Sequence, residues 1–443
     1  LKYYITSFFA CLIMIIFPNI FKFFLLLPGT TKAFVPTCPN IPLGERVDCF
    51  PDPGASQENC EARGCCWSPR DESNVPWCFF PTNHGYTVES QDSSILKANL
   101  IRMDSPSLFG GEIKQLSLEA EMQTNNRLRF KIYDPNSNRF EVPHEHISSL
   151  PSNPSIPISS TLQVTQKPFG LTVRRKENQK VVFDTTIAPL VFEDQYIQLS
   201  ARLPSHNIYG LGEHVHRQYR HDTNWKTWPI FTRDAFPNGV RTPAPAVTYR
   251  TIGGLLDFYI VFGDTPEQVV QEFLELTGRP VMPPYWSLGF QLSRWNYTNL
   301  DIVKETVERN RAVGLPYDVQ YTDIDYMENK KDFTYDKLNY TELPRFADYL
   351  HERGQKYILI LDPAIATSKR VGDAPYESYD RGTAKNAWVT ESDGKTPLIG
   401  EVWPGETVFP DYTNPNCIDW WVDEYERFSK EVKHDALWIV SQL

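Results

Sequence analysis

Tyr357-Ile358-Leu359-Ile360-Leu361 is a run of five apolar residues closed by Asp362-Pro363. With no polar alternation, it reads as a strand covered on both faces, the signature of a parallel sheet rather than of a half-exposed antiparallel one. Its surroundings extend the pattern. Upstream, residues 286–292 form a candidate strand after Pro283-Pro284, and Asn299 can cap a helix with Leu300, Val303 and Val307 on one face, ending near Gly314 and Pro316. A strand is expected over 317–326, then a helix around Phe346 and Leu350 that stops at Gly354. Downstream, a long insertion precedes an aromatic helix bearing Trp420, Trp421, Tyr425 and Phe428, and the last strand is Ala436-Leu437-Trp438-Ile439-Val440. Four strand-helix alternations imply parallel pairing through right-handed crossovers. An open doubly wound sheet and the first half of a (β/α)8 barrel both fit. No Gly-rich phosphate loop follows the first strand, which favours the half barrel.

The chain of 443 residues exceeds the usual size of one domain, and 13% aromatic content supplies ample core. Between residues 86 and 278 the texture is short alternating runs broken by turns. Leu128-Arg129-Phe130-Lys131-Ile132-Tyr133 alternates with period two, and Leu171-Thr172-Val173 with Val181-Val182-Phe183 reads as a hairpin joined through Glu177-Asn178-Gln179. An antiparallel β-sandwich follows. A net charge of -11 and a pI near 5.4 leave no basic face for phosphates, so nucleic acid is excluded as a partner and a neutral ligand fits better.

The first residues carry an apolar stretch, 3–27, interrupted by Pro18, Asn19 and Lys22. It reads as a signal anchor or a secretory signal peptide, placing the remainder on the outer side of a membrane or free outside the cell. The cysteines agree with export. Six of eight, Cys38, Cys49, Cys60, Cys65, Cys66 and Cys78, crowd a segment rich in Pro, Gly and acidic residues, where cross-links must substitute for core. Paired Cys-x-x-Cys knuckles are missing, which argues against zinc. Spacing alone leaves fifteen pairings open.

Cys60-Glu61-Ala62-Arg63-Gly64-Cys65-Cys66-Trp67, closing with Pro76-Trp77-Cys78, resembles a trefoil (P-type) domain. That resemblance implies the pairs Cys38 with Cys66, Cys49 with Cys65, and Cys60 with Cys78. Further markers are Arg139-Phe140-Glu141-Val142-Pro143-His144-Glu145-His146, Tyr209-Gly210-Leu211-Gly212-Glu213-His214, Gly400-Glu401-Val402-Trp403-Pro404-Gly405 and Phe409-Pro410-Asp411-Tyr412-Thr413-Asn414-Pro415. Together with His434-Asp435-Ala436-Leu437-Trp438-Ile439, they resemble glycoside hydrolase family 31, in its maltase-glucoamylase and sucrase-isomaltase group. The resemblance implies a leader over 1–34, a trefoil over 36–85, a β-sandwich over 86–280 shortened near residue 240, and four β/α units of a barrel over 281–443. It also implies a retaining α-glucosidase acting on malto-oligosaccharides or other α-glucosides without a cofactor.

In a parallel barrel, functional groups gather at the C-terminal strand ends. The second strand offers Asp323-Ile324-Asp325, whose carboxylates alternate across the strand. By resemblance, Asp323 grips hydroxyls of the innermost glucose, beside Ile324. Ile360 would line the pocket and Asp362 brace it. Trp295, Trp403 and Trp438 supply flat apolar faces on which sugar rings stack. Asp234, in Arg233-Asp234-Ala235-Phe236-Pro237-Asn238-Gly239, matches a family loop that reaches into the sugar site.

At the nucleophile position, where the family reads Asp-Met-Asn-Glu, this chain reads Val440-Ser441-Gln442-Leu443. A retaining mechanism needs two carboxyl groups about 5 Å apart. The chain as written is therefore expected to retain part of a glucose-binding wall without turnover. The rival expectation is a secreted or membrane-tethered trefoil glycan-binding protein with a vestigial hydrolase region. His214 and His216 have strand-type metal spacing but no evident third ligand, so no metal is expected. Asn296-Tyr297-Thr298 and Asn339-Tyr340-Thr341 are N-glycosylation sequons, the first beside Trp295.

Overall fold

The computed structural model describes residues 34–72, 75–92, 96–142, 144, 147, 159–210, 220–221, 246–367 and 375–439. The chain divides into two compact units, Leu1–Thr277 and Gly278–Leu443. The apolar stretch 3–27, Asp234, His214, His216 and Val440 lie outside the described residues. Among the described residues, no helix is long and apolar enough to cross a membrane.

The first unit opens with a cross-linked module. Its helix, Gln57–Ala62, begins at Ser56, whose hydroxyl accepts the Asn59 amide at 3.2 Å. Two short strands, Cys66–Trp67 and Cys78–Phe79, pair antiparallel. Disulfides join Cys38 to Cys66, Cys49 to Cys65 and Cys60 to Cys78. The small core they enclose, with Val47, Phe50 and Phe80, continues into Leu108, Ala188 and Val191. Across that junction Arg202 pairs with Glu45 at 2.9 Å.

Two antiparallel sheets follow. One is ordered Leu256–Val261, Arg127–Tyr133, Gln115–Thr124, Leu96–Arg102, Tyr86–Asp92. The other runs Val191–Phe192, Ile197–Arg202, Val181–Asp184, Phe169–Arg175, Ser160–Gln166, with Ala246–Thr251 paired along the whole of Ile197–Arg202. The period-two segment behaves as its pattern demands: Leu128, Phe130 and Ile132 are buried while Arg129 and Lys131 reach the surface. Inner faces of both sheets merge in one core that includes Leu118, Phe130, Leu171, Val173 and Leu199. The hairpin Phe169–Arg175 to Val181–Asp184 pairs Val173 with Phe183.

The second unit holds a parallel sheet ordered Gln291–Leu292, Val319–Thr322, Lys356–Ile360, Ala436–Trp438. Helices Leu300–Ala312, Leu343–Glu352 and Pro415–Glu431 intervene, and Glu377–Ala384 lies in the insertion. Asn299 caps the first of these helices, its side chain accepting the Ile302 amide at 3.0 Å, and Leu300, Val303 and Val307 are its buried stripe. The helical face of the sheet is dense: Tyr357 packs edge-on against Phe346 and bonds Thr322 through its hydroxyl at 2.7 Å.

Two expected strands are shorter than their apolar runs suggest. In 286–292 only Gln291–Leu292 pairs; Tyr285–Leu288 closes a 3-10 turn instead. Pro283 and Pro284 bring no amide donors to a ladder, and the Ser287 and Gly289 amides bond back to Pro284 and Trp286. In 317–326 the strand stops at Thr322, because the Asp323 carboxylate accepts the Ile324 amide at 2.7 Å and opens a second 3-10 turn, Ile324–Tyr326.

Candidate functional site

Register places Tyr321 beside Ile358 and Ala436, and Ile360 beside Trp438. Because side chains alternate along a strand, Tyr321, Ile358, Ile360 and Trp438 share the face opposite the helices, and extended Asp323 follows Tyr321 on that side. Tyr321 meets Trp438 edge to face with centroids 5.9 Å apart, and its hydroxyl donates to Gln291 Oε1 at 2.6 Å. Three neighbouring strand ends thus present a carboxylate, an aliphatic side chain and two aromatic rings to one side of the sheet.

Asp323 is half-buried. Burial and the nearby Asp325 push its carboxyl above the usual aspartate range, against the Ile324 amide that favours the charged form. Asp325 is a brace: its carboxylate accepts the Tyr297 amide at 2.9 Å, tying the second strand end to the loop after the first. Tyr326 ties it to the third, its hydroxyl donating to the Ile360 carbonyl at 2.8 Å. Ile324 and Ile360 are both 4–6% exposed and belong to the apolar core, against which Trp438 packs.

The remaining aromatic candidates sit on exposed positions. Trp295 is 63% exposed in the loop after the first parallel strand, and Trp403 is 53% exposed at the turn between Ile399–Val402 and Gly405–Val408. Asn296 adjoins Trp295 and is exposed, with φ of 66°. Asn339 is also exposed, and its amide donates to Asp336 at 2.7 Å.

Sequence reading passed over two features of this region. Tyr321 could have been found by counting back two residues from Asp323 along the strand. Asp332 could not: it sits in a polar stretch yet is 2% exposed, with one carboxylate oxygen lacking a partner. Burial and neighbouring Asp362 drive its carboxyl well above the ordinary aspartate range. In the first unit, Glu141, His144 and Asp257 bring ligand atoms together. Cations of the chain already satisfy these carboxylates, Arg129 on Asp257 at 2.8 Å and Lys131 on Glu141 at 2.7 Å, so the cluster is an ion-pair network.

Comparison with known proteins defines the class. Residues 280–440 match the glycosyl hydrolases family 31 TIM-barrel domain, and residues 38–81 match the trefoil (P-type) domain. By these matches the chain carries a glycosyl hydrolases family 31 barrel segment with a trefoil domain ahead of it in sequence. It is 51% identical to intestinal sucrase-isomaltase of Oryctolagus cuniculus over 91% of this chain and 24% of that protein. It is 48% identical to probable maltase-glucoamylase 2 of Homo sapiens over 89% of this chain and 17% of that protein. With lysosomal alpha-glucosidase of Rattus norvegicus it shares 40% identity over 91% of this chain and 46% of the relative. The chain thus spans about a quarter of the length of the intestinal sucrase-isomaltases it matches. Among solved structures, the DNJ-bound glucosidase II alpha subunit superposes with a TM-score of 0.64 over 81% of this chain and 51% of that one, at 16% identity, a likeness of fold.

Proposed function

We propose that residues 281–443 are the first four β/α units of a (β/α)8 barrel and form part of the glucose-binding wall of an α-glucosidase for malto-oligosaccharides. In this reading Asp323 accepts sugar hydroxyls, Ile324 and Ile360 shape the pocket floor, and Trp438, Trp295 and Trp403 offer stacking faces. The observation that carries it is the alignment of Asp323, Ile360 and Trp438 on one sheet face at adjoining strand ends. A carboxylate beside apolar rings suits a neutral saccharide, whose hydroxyls need directed bonds and whose C–H faces need flat apolar contact.

The same reading assigns no turnover to the chain as it stands. Val440 occupies the position where the family carries its nucleophile, and a valine side chain can neither attack an anomeric carbon nor stabilise an oxocarbenium ion. Three disulfides support export, with residues 36–85 as the trefoil, 86–280 as the sandwich, the apolar stretch 3–27 as anchor or signal, and Asn296 and Asn339 as glycan acceptors.

The test is calorimetric titration of the purified chain with maltose, alongside an assay of released glucose. Weak binding abolished in Asp323→Ala, with glucose release at background, is the expected pair of results. Absence of binding at millimolar maltose overturns the wall, and release well above background overturns the assignment of Val440. A second reading, a trefoil glycan-binding protein, is favoured by a cleft in the disulfide-linked module.

A further inference from the structure

The trefoil cleft has a volume of about 340 Å³, and its lining includes Asn40, Arg46, Trp67, Ser68, Arg70 and Phe79. No carboxylate lines it; its two ionised side chains are both arginines. That balance is unusual for the module, whose other described arginine, Arg63, is neutralised by Asp52 at 2.6 Å.

Arg46 is 3% exposed. Its guanidinium lies over the Phe79 ring, 4.2 Å from the centroid, and donates to the Ser68 carbonyl at 2.9 Å and the Ser68 hydroxyl at 3.2 Å. All of these partners are neutral. Its Nε is buried without a hydrogen-bond partner, and no carboxylate forms an ion pair with it among the described residues. Burial and repulsion from Arg70 both hold its pKa below the ordinary arginine value, opposed by the field of Glu72. A buried cation without a counter-ion is costly, and an oxyanion entering the cleft would remove that cost with charge-assisted hydrogen bonds. Trp67 adds a flat wall, held edge to face against Trp77 at 5.8 Å, while the Trp77 indole donates to the Arg70 carbonyl at 3.0 Å and fixes the backbone that carries the second arginine.

We propose that this cleft binds an acidic saccharide, with Arg46 and Arg70 receiving its sulfate ester or carboxylate and Trp67 taking the face of the ring. The inference rests on the trefoil being a glycan-binding module and adds the charge of the glycan. It is independent of the barrel.

The experiment titrates the full chain, at low and high salt, with four probes: a 6-sulfogalactoside, a methyl glucuronide, neutral methyl galactoside and an Asp/Glu-rich peptide. Binding of either acidic sugar, about tenfold or more tighter than the neutral one and weakened by salt, supports the proposal, and the two acidic arms tell sulfate from carboxylate. Arg70→Glu, at an exposed position, should lose at least about tenfold in affinity with disulfides intact by mass spectrometry. Equal binding of the neutral sugar overturns the inference while leaving the glycan-binding reading in place. No saccharide binding overturns both. Binding of the peptide alone, or an unchanged affinity in Arg70→Glu, overturns the inference.

Discussion

Asp332→Asn isolates the cost of a buried carboxyl beneath the candidate sugar wall. Asp332 lies with Asp362 in the interior of the second unit, its carboxylate taking the Asp362 amide and its own carbonyl accepting the Tyr376 hydroxyl at 2.9 Å. Its pKa is raised well above 3.8, chiefly by burial and then by Asp362. A carboxyl raised in the folded state is protonated there when the unfolded chain has already ionised. Its contribution to stability is therefore complete below the unfolded pKa and is lost as pH rises towards the folded one. For one group the loss is at most about 1.4 kcal/mol per pH unit within that window. Asparagine keeps the shape and an acceptor for the Asp362 amide but cannot ionise. Urea unfolding followed by tryptophan fluorescence reads this core directly, since Phe333 contacts both Trp420 and Trp421. From about pH 4.5 upwards the variant should gain on the wild type, by up to about 1.4 kcal/mol per pH unit. Parallel stability curves for the two proteins across that range would refute the burial argument.

Three further outcomes are expected. Glu424 is 1% exposed and receives two Arg381 nitrogens and the Ser378 hydroxyl, so Arg381→Ala should cost about 3–5 kcal/mol by leaving a buried carboxylate unpaired, with much of it recovered in Arg381→Ala/Glu424→Leu. Asn299→Ala removes the cap that accepts the Ile302 amide and should cost about 1 kcal/mol, read from the same urea curves. Replacing Cys60 and Cys78 by serine opens a loop of sequence separation 18 and should destabilise the trefoil by about 3 kcal/mol, seen as faster proteolysis of that segment.

How far the site could be read from sequence differs from element to element. The run 357–361 announced a buried strand because its length exceeds what a half-exposed strand tolerates, and Lys356–Ile360 is one of the two inner strands of the parallel sheet. The strands around Asp323 and Gln291 were over-extended. Aromatic residues populate 3-10 turns as readily as strands there, and the Phe290 and Ile324 amides donate to the Asp318 and Asp323 carboxylates rather than to a ladder. Tyr321 was legible from alternation once the strand was fixed. The tie from Tyr326 to the Ile360 carbonyl was not, because it joins residues 34 apart.

Sequence alone determined the order of the elements and the chemical types at the strand ends, since hydrophobic period, proline and capping residues act within a few positions of one another. It also determined that valine stands at position 440. Only the tertiary structure decided which charges lose water. Asp332 reads as a solvated loop acid between Lys331 and Phe333, yet it is buried against Asp362; Arg46 reads as a surface cation, yet it lies over Phe79 with no counter-ion among the described residues. Solvation of a charge depends on everything packed around it, and most of those atoms come from residues remote in the chain.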